Sequence, residues 1–167
     1  MKRLRYESGD IDAIDAAILR ALAEEARVTT ADLARRVGLS APSVTERVRR
    51  LEEAGIVLGY GAWIDPAALG RPLAAYIRVR PMPAQLRTTI EVLQGLEAVG
   101  ECDRVTGEDC FVAKAQLRSV EELEAVIDRI IPYAMTNTSI IQSTPVRRRL
   151  PPLPWPPARA EEQGAAE

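Results

Sequence analysis

The chain has 167 residues, 47% of them hydrophobic, and a formal net charge of −2. That length accommodates one large domain or two small ones, and so much apolar side chain excludes disorder of the whole chain. No run approaches the roughly 20 apolar residues that span a bilayer, and Met1-Lys2-Arg3-Leu4-Arg5 is not followed by the apolar stretch of a signal peptide, so a cytoplasmic protein without a membrane partner is expected.

From Asp12, the residues Ile14, Ile18 and Leu22 recur at helical spacing and predict a first helix that stops near Glu24. Thr29 and Asp32 have the form of a capping box, which predicts a second helix over about Thr30 to Val37 with Leu33, Ala34 and Val37 buried. Gly38 supplies a left-handed terminator, and Ser40 caps a third helix with Pro42 in its first turn, where a missing N–H costs nothing. Two helices joined by so short a turn predict a helix-turn-helix. The third helix puts Val44, Val48 and Leu51 on its buried stripe and Ser43, Thr45, Glu46, Arg49 and Arg50 on the opposite face. Hydroxyls and guanidinium groups on one helix face are the chemistry that meets phosphates and base edges in a major groove. Basic and acidic side chains balance over residues 1 to 62, ten of each, but from 35 to 50 five arginines stand against Glu46 alone. Ile56 to Ile64 is β-prone and predicts a wing or connecting strand, and Asp65-Pro66 and Gly70-Arg71-Pro72 bracket a hinge. The expected organisation is a DNA-binding domain over 10 to 62 and a linker over 63 to 72.

Leu73, Ala75, Ile77 and Val79 alternate with Ala74, Tyr76, Arg78 and Arg80, predicting a strand that Pro81 and Pro83 end. Leu86, Ile90 and Leu93 mark a helix, and Glu101 to Thr106 and Cys110 to Leu117 read as a hairpin around a tight turn at Gly107. Ser119 and Glu122 open a further helix with Leu123, Val126, Ile127 and Ile130 inward, and Thr138 to Val146 reads as the last strand. The order βαββαβ predicts a ferredoxin-like antiparallel sheet over 73 to 147, with both helices on one face, so the chain as a whole is of the α+β class. The other face, read as apolar, is expected to meet a second copy of the chain. Residues 148 to 167 are rich in proline and expected to be disordered, with Trp155 in Pro-Trp-Pro as the one group there that could dock.

These residues together resemble the Lrp/AsnC, or feast/famine, family of regulators. The resemblance rests on Ile11-Asp12-Ala13-Ile14-Asp15, Arg27-Val28-Thr29, Asp32-Leu33-Ala34, Val37-Gly38-Leu39-Ser40 and Arg47-Val48-Arg49-Arg50-Leu51-Glu52. Gly55-Ile56-Val57, Asp65-Pro66, Leu69-Gly70, Val105-Thr106-Gly107 and Thr136-Asn137-Thr138-Ser139 extend it to about residue 147. It implies a winged or simple helix-turn-helix joined to an effector-binding domain, in dimers that often assemble into tetramers or octamers. It also implies an amino acid bound between protomers near the turn after the second strand of the C-terminal domain. The matching positions are Thr106, Gly107, Glu108 and Asp109, with Thr136, Thr138 and Ser139 approaching from a neighbouring subunit. Many members carry an acid three positions after the glycine; here that position is Cys110, and the acid is Asp109 just before it.

The DNA-contacting set is expected to be Ser40, Ser43, Thr45, Glu46, Arg47, Arg49 and Arg50, weighed against a merely solvated helix face. Arg47 borders the buried stripe and could anchor phosphate, while Glu46 could accept from a cytosine amino group or pair with Arg50. The Thr106 to Asp109 turn could equally be plain hairpin chemistry. Cys102 and Cys110, with no histidine anywhere in the chain, make a poor zinc site and leave a thiol sensor as a minor reading. No cofactor is expected. An enzyme, such as the siroheme decarboxylases of similar architecture, lacks its commonest haem ligand here. An architectural DNA-binding protein needs the same helices and oligomer, and differs in ignoring metabolites.

Overall fold

The computed structural model describes residues 11 to 153; the end of the proline-rich tail, with Trp155, lies outside them. The chain divides into two compact units, one formed by 11 to 62 together with 147 to 153, the other by Trp63–Val146.

The first unit is three helices, α1 (Ala13–Glu24), α2 (Thr30–Val37) and α3 (Ala41–Glu53). Asp12 and Asp15 form a reciprocal capping box at the start of α1. At α2 the Thr29 hydroxyl accepts from the Asp32 N–H but donates to the Asp32 carboxylate at 2.6 Å, so the acid does not reach back to the backbone as the sequence pattern suggests. Gly38 takes φ 69°, a left-handed turn costly for a residue with a Cβ, and so lets α3 start three residues later under the Ser40 cap. Ile18, Leu19, Ala21, Leu33, Ala34, Val44 and Leu51 make the core, with Val37, Val48 and Leu153 packed against it. The strand expected over Ile56 to Ile64 does not form: residues 58 to 65 are irregular, and Leu58, Trp63 and Ile64 are largely exposed. β propensity alone cannot hold a strand that has no neighbour to complete its ladder.

The second unit begins with a short 3-10 turn, Ala67–Leu69, inside the stretch read as a linker. Arg71 fastens that stretch, donating to the Gln116 carbonyl at 2.9 Å and pairing with Glu122 at 3.2 Å. Then follow β1 (Leu73–Pro81), α4 (Leu86–Gln94), β2 (Val99–Arg104), β3 (Phe111–Leu117), α5 (Val120–Ile130) and β4 (Ala134–Ile140). The sheet is antiparallel in the order β2-β3-β1-β4. Ala75, Ile77 and Val79 from β1 and Phe111, Ala113, Ala115 and Leu117 from β3 face Leu93, Leu123, Val126 and Ile130 of the two helices.

Three expectations are corrected here. The last strand starts four residues earlier than predicted and ends at Ile140, because Ala134 pairs with Pro81 and the ladder runs back along β1 from there. The link between β2 and β3 is not a tight turn but a six-residue loop, Val105 to Cys110, closed by the Val105 N–H on the Cys110 carbonyl at 2.9 Å. The open face of the sheet is not apolar. Cross-strand register places Tyr76, Val112 and Met135 there among Arg78, Arg80, Lys114, Glu101, Asp103 and Asn137.

At the start of α5, Glu122 accepts the Arg118 N–H at 2.6 Å and also pairs with the Arg118 and Arg71 guanidinium groups. The Arg118 backbone bond first, and the Arg118 side chain next, pull the Glu122 pKa from 4.5 down to about 2. A depressed carboxylate stabilises the fold above its unfolded pKa and loses that contribution as pH falls through the folded value. Glu122→Gln is therefore expected to flatten the pH dependence of unfolding between 4.5 and about 2, read by denaturant titration at several pH values. An unchanged pH profile would remove this role.

Candidate DNA interface and effector loop

The exposed face of α3 carries the residues expected to touch DNA, and the structure divides them into two groups. Asp15, wholly buried on α1, draws in two of the arginines. Arg47 Nη1 donates to Asp12 Oδ2 at 2.7 Å and to Asp15 Oδ1 at 2.8 Å, and Arg50 Nη2 donates to Asp15 Oδ2 at 2.6 Å. Burial raises the Asp12 pKa, but the Asp15 N–H and the Arg47 guanidinium outweigh it and hold the carboxyl below its ordinary value. Arg47 and Arg50 thus fasten α3 to α1, a role that only the fold reveals, since 32 to 35 residues separate the partners.

The second group faces solvent. Arg49 lies between Glu46 and Glu53, with its Nε 3.0 Å from Glu46, so Glu46 pairs with Arg49 and not with Arg50. The Arg49 hydrogen bond, and then its charge, keep the Glu46 carboxyl below its usual range. Ser40 and Ser43 share a hydroxyl hydrogen bond of 2.8 Å, and the Thr45 hydroxyl donates to the Ala41 carbonyl at 3.0 Å. With its hydroxyl turned to the helix backbone, Thr45 remains an exposed residue of this face. Leu39, Ser43, Glu46, Arg47 and Arg50 line a shallow depression on this face.

In the second unit, Thr106, Gly107, Glu108 and Asp109 all lie in the β2–β3 loop, where Gly107 adopts φ 113°. Arg80 binds the Glu108 carbonyl at 2.8 Å and its carboxylate at 2.9 Å, which occupies Glu108. Asp109 is half-buried and has no hydrogen-bond or ion-pair partner among the described residues. Val79 pairs with both Phe111 and Thr136, so the loop and the start of β4 occupy the same end of the sheet, about 10 Å apart across β1. Thr136 and Thr138 lie opposite the buried Val79 and Ile77, on the helix side; Ser139 lies opposite Tyr76, on the open side. Their three side chains therefore cannot converge on one ligand from a single strand.

A groove of about 340 Å³ opens between α4 and the edge strand β2, lined by Ile90, Leu93, Cys102, Arg104 and Phe111 among others. Sequence reasoning missed it, although alternation along β2 puts Cys102 and Arg104 opposite Ala113 and Phe111. Burial first, and then the Asp103 charge, push the Cys102 thiol above its ordinary pKa, which disfavours the reactive thiolate. Among the described residues no group of His, Cys, Asp and Glu is arranged to hold a metal, and no helix is long and apolar enough to cross a membrane.

Residues 11–57 match the family model for winged helix-turn-helix DNA-binding, and residues 74–151 match the Lrp/AsnC ligand binding domain. The chain belongs to the Lrp/AsnC family of transcriptional regulators. The regulator is 39% identical over 137 residues to the HTH-type transcriptional regulator LrpA of Mycobacterium tuberculosis, covering 80% of this chain and 91% of the relative. It is 35% identical over 133 residues to LrpC of Bacillus subtilis, with 80% and 92% covered. Among solved structures, the feast or famine regulatory protein of M. tuberculosis complexed with L-methionine is similar with a TM-score of 0.79 and 37% identity, over 86% of the regulator and 99% of that chain. The helix-turn-helix and α+β architecture expected from the sequence is the family's own.

Proposed function

We propose that the regulator reads operator DNA through Ser43, Thr45, Glu46 and Arg49 of α3, and that an amino acid bound at the Val105 to Cys110 loop changes its DNA affinity or assembly. The observation that carries the effector reading is Asp109, a half-buried carboxylate left without a partner while its neighbour Glu108 is engaged by Arg80. A zwitterion needs an acceptor for its ammonium group, which Asp109 supplies, and donors for its carboxylate, which the loop N–H groups and the Thr106 hydroxyl supply. Thr136 and Thr138 on one side, or Ser139 on the other, complete the site from a neighbouring subunit. The family's ligand-binding model spans this loop, and a solved relative holds L-methionine. Tyr76, Val112 and Met135, ringed by both signs of charge on the open sheet face, suit a self-complementary contact between two copies.

A thermal-shift screen of the amino acids, followed by DNA titration with and without the hit, tests the effector reading. The hit should alter DNA affinity, and DNA should alter the hit's affinity by the same factor. No shift with any amino acid would leave an architectural DNA-binding protein. On the DNA side, Ser43→Ala with Thr45→Ala should cost about tenfold on a duplex enriched from a random pool by the regulator, with binding to unselected duplex unchanged. Equal loss on both duplexes would assign these residues to affinity and not to sequence choice.

A further inference from the structure

Among the described residues, the two helices of the helix-turn-helix, α2 and α3, are short of free cationic charge. Between residues 11 and 62, seven basic side chains stand against eight acidic ones. The five arginines of α2 and α3 are all in ion pairs: Arg35 with Asp32, Arg36 with Glu25, Arg47 with Asp12 and Asp15, Arg49 with Glu46 and Glu53, Arg50 with Asp15. A surface that meets one phosphate charge per about 1.7 Å of duplex needs cations from elsewhere.

The chain supplies them after β4. Arg147, Arg148 and Arg149 are consecutive and exposed, and they belong to the helical unit and not to the sheet unit that precedes them. Leu153, four residues past Arg149, packs against the helical core, with Pro151 and Pro152 stiffening the chain between. At about 3.1 Å per residue in an extended proline-rich segment, this keeps Arg149 within about 12 Å of its anchor. Arg147 and Arg149 have no ion pair or hydrogen bond among the described residues. The three guanidinium groups change the formal charge of residues 11 to 62 from one negative to two positive.

We propose that this segment is a second DNA-contacting element, in which Arg147 and Arg149, anchored by Leu153, bind backbone phosphates without regard to sequence. It rests on α3 being the sequence-reading helix and adds the sequence-independent part of the interface. Guanidinium pairs with phosphate bidentately, and each such contact releases condensed counterions, so the contribution is read directly from salt dependence.

The test is fluorescence anisotropy of the full chain on two duplexes, one of mixed sequence and one enriched from a random pool, across a range of salt concentrations. Arg147→Gln with Arg149→Gln should weaken binding to both by the same factor and flatten the slope of log affinity against log salt by up to about 1.8 per protomer. Leu153→Ser, with the arginines kept, should shift both duplexes in the same direction. A wild-type slope in the arginine variant overturns the proposal, and so does a loss confined to the enriched duplex. Ser43→Ala with Thr45→Ala, run in the same series, loses preference for the enriched duplex only, so failure of the α3 reading and failure of this one appear on different duplexes.

Discussion

Arg47→Met is expected to lower the stability of the helical unit by about 3 kcal/mol, although Arg47 sits on the helix proposed to read DNA. The change keeps the length and apolar stem of the side chain and removes only its charge and donors. What is left behind is Asp15, wholly buried, with Oδ1 bare, and Asp12 without its side-chain donor. Removing one partner from a buried pair costs far more than the pair contributes, because the remaining charge has no water to return to. Arg50→Met should cost less, about 1 kcal/mol, since Arg50 is half-exposed and Asp15 keeps Arg47. Urea unfolding followed by the helical signal should show the Arg47→Met midpoint moved at unchanged slope. A wild-type midpoint, with DNA affinity alone reduced, would return Arg47 to the phosphate-anchoring role that its place beside the buried stripe suggests.

Asp109→Ala is expected to weaken the amino acid identified by thermal shift about 30-fold, the loss of one charge-assisted hydrogen bond in a partly buried site. Glu108→Ala should do less to the ligand, because its carboxylate already pairs with Arg80; its effect should be to loosen the loop. DNA binding without effector should be unchanged in both variants, since both residues belong to the sheet unit and not to the helical one. Calorimetric titration of wild type and the two variants separates the cases. Equal affinity in Asp109→Ala would move the ammonium acceptor elsewhere, and a larger loss in Glu108→Ala would mean that Arg80 yields its partner to the ligand.

Much of the fold was legible because its signals are local. Thr29, Gly38 and Ser40 set the ends of α2 and the start of α3 through bonds that span three or four residues, and α2 falls on Thr30–Val37 as its caps imply. The alternation of β1 likewise states which side chains are buried. What was not legible depends on distant partners. Ile56 to Ile64 has strand composition but forms no strand among the described residues, and the limits of β4 are set by its register on β1 and not by its own residues. Counting Ala74, Tyr76 and Val112 suggests an apolar outer face; register brings five charged residues beside them. At the candidate sites, residue types were visible and pairings were not. Five arginines on or near α3 look like a cationic face until each finds its acid.

The clamp between α1 and α3 has a consequence for how such a regulator changes its target. The side chains that fix the position of α3, Val44, Arg47, Arg50 and Leu51, are not the ones that face solvent at Ser43, Thr45, Glu46 and Arg49. Substitutions in the second set leave the buried carboxylate and the helical core untouched, so, with operator choice lying at those four exposed positions as proposed, a new operator can be acquired through drift there without passing through an unfolded ancestor. A duplicated copy of such a gene would keep its scaffold while its operator preference wandered.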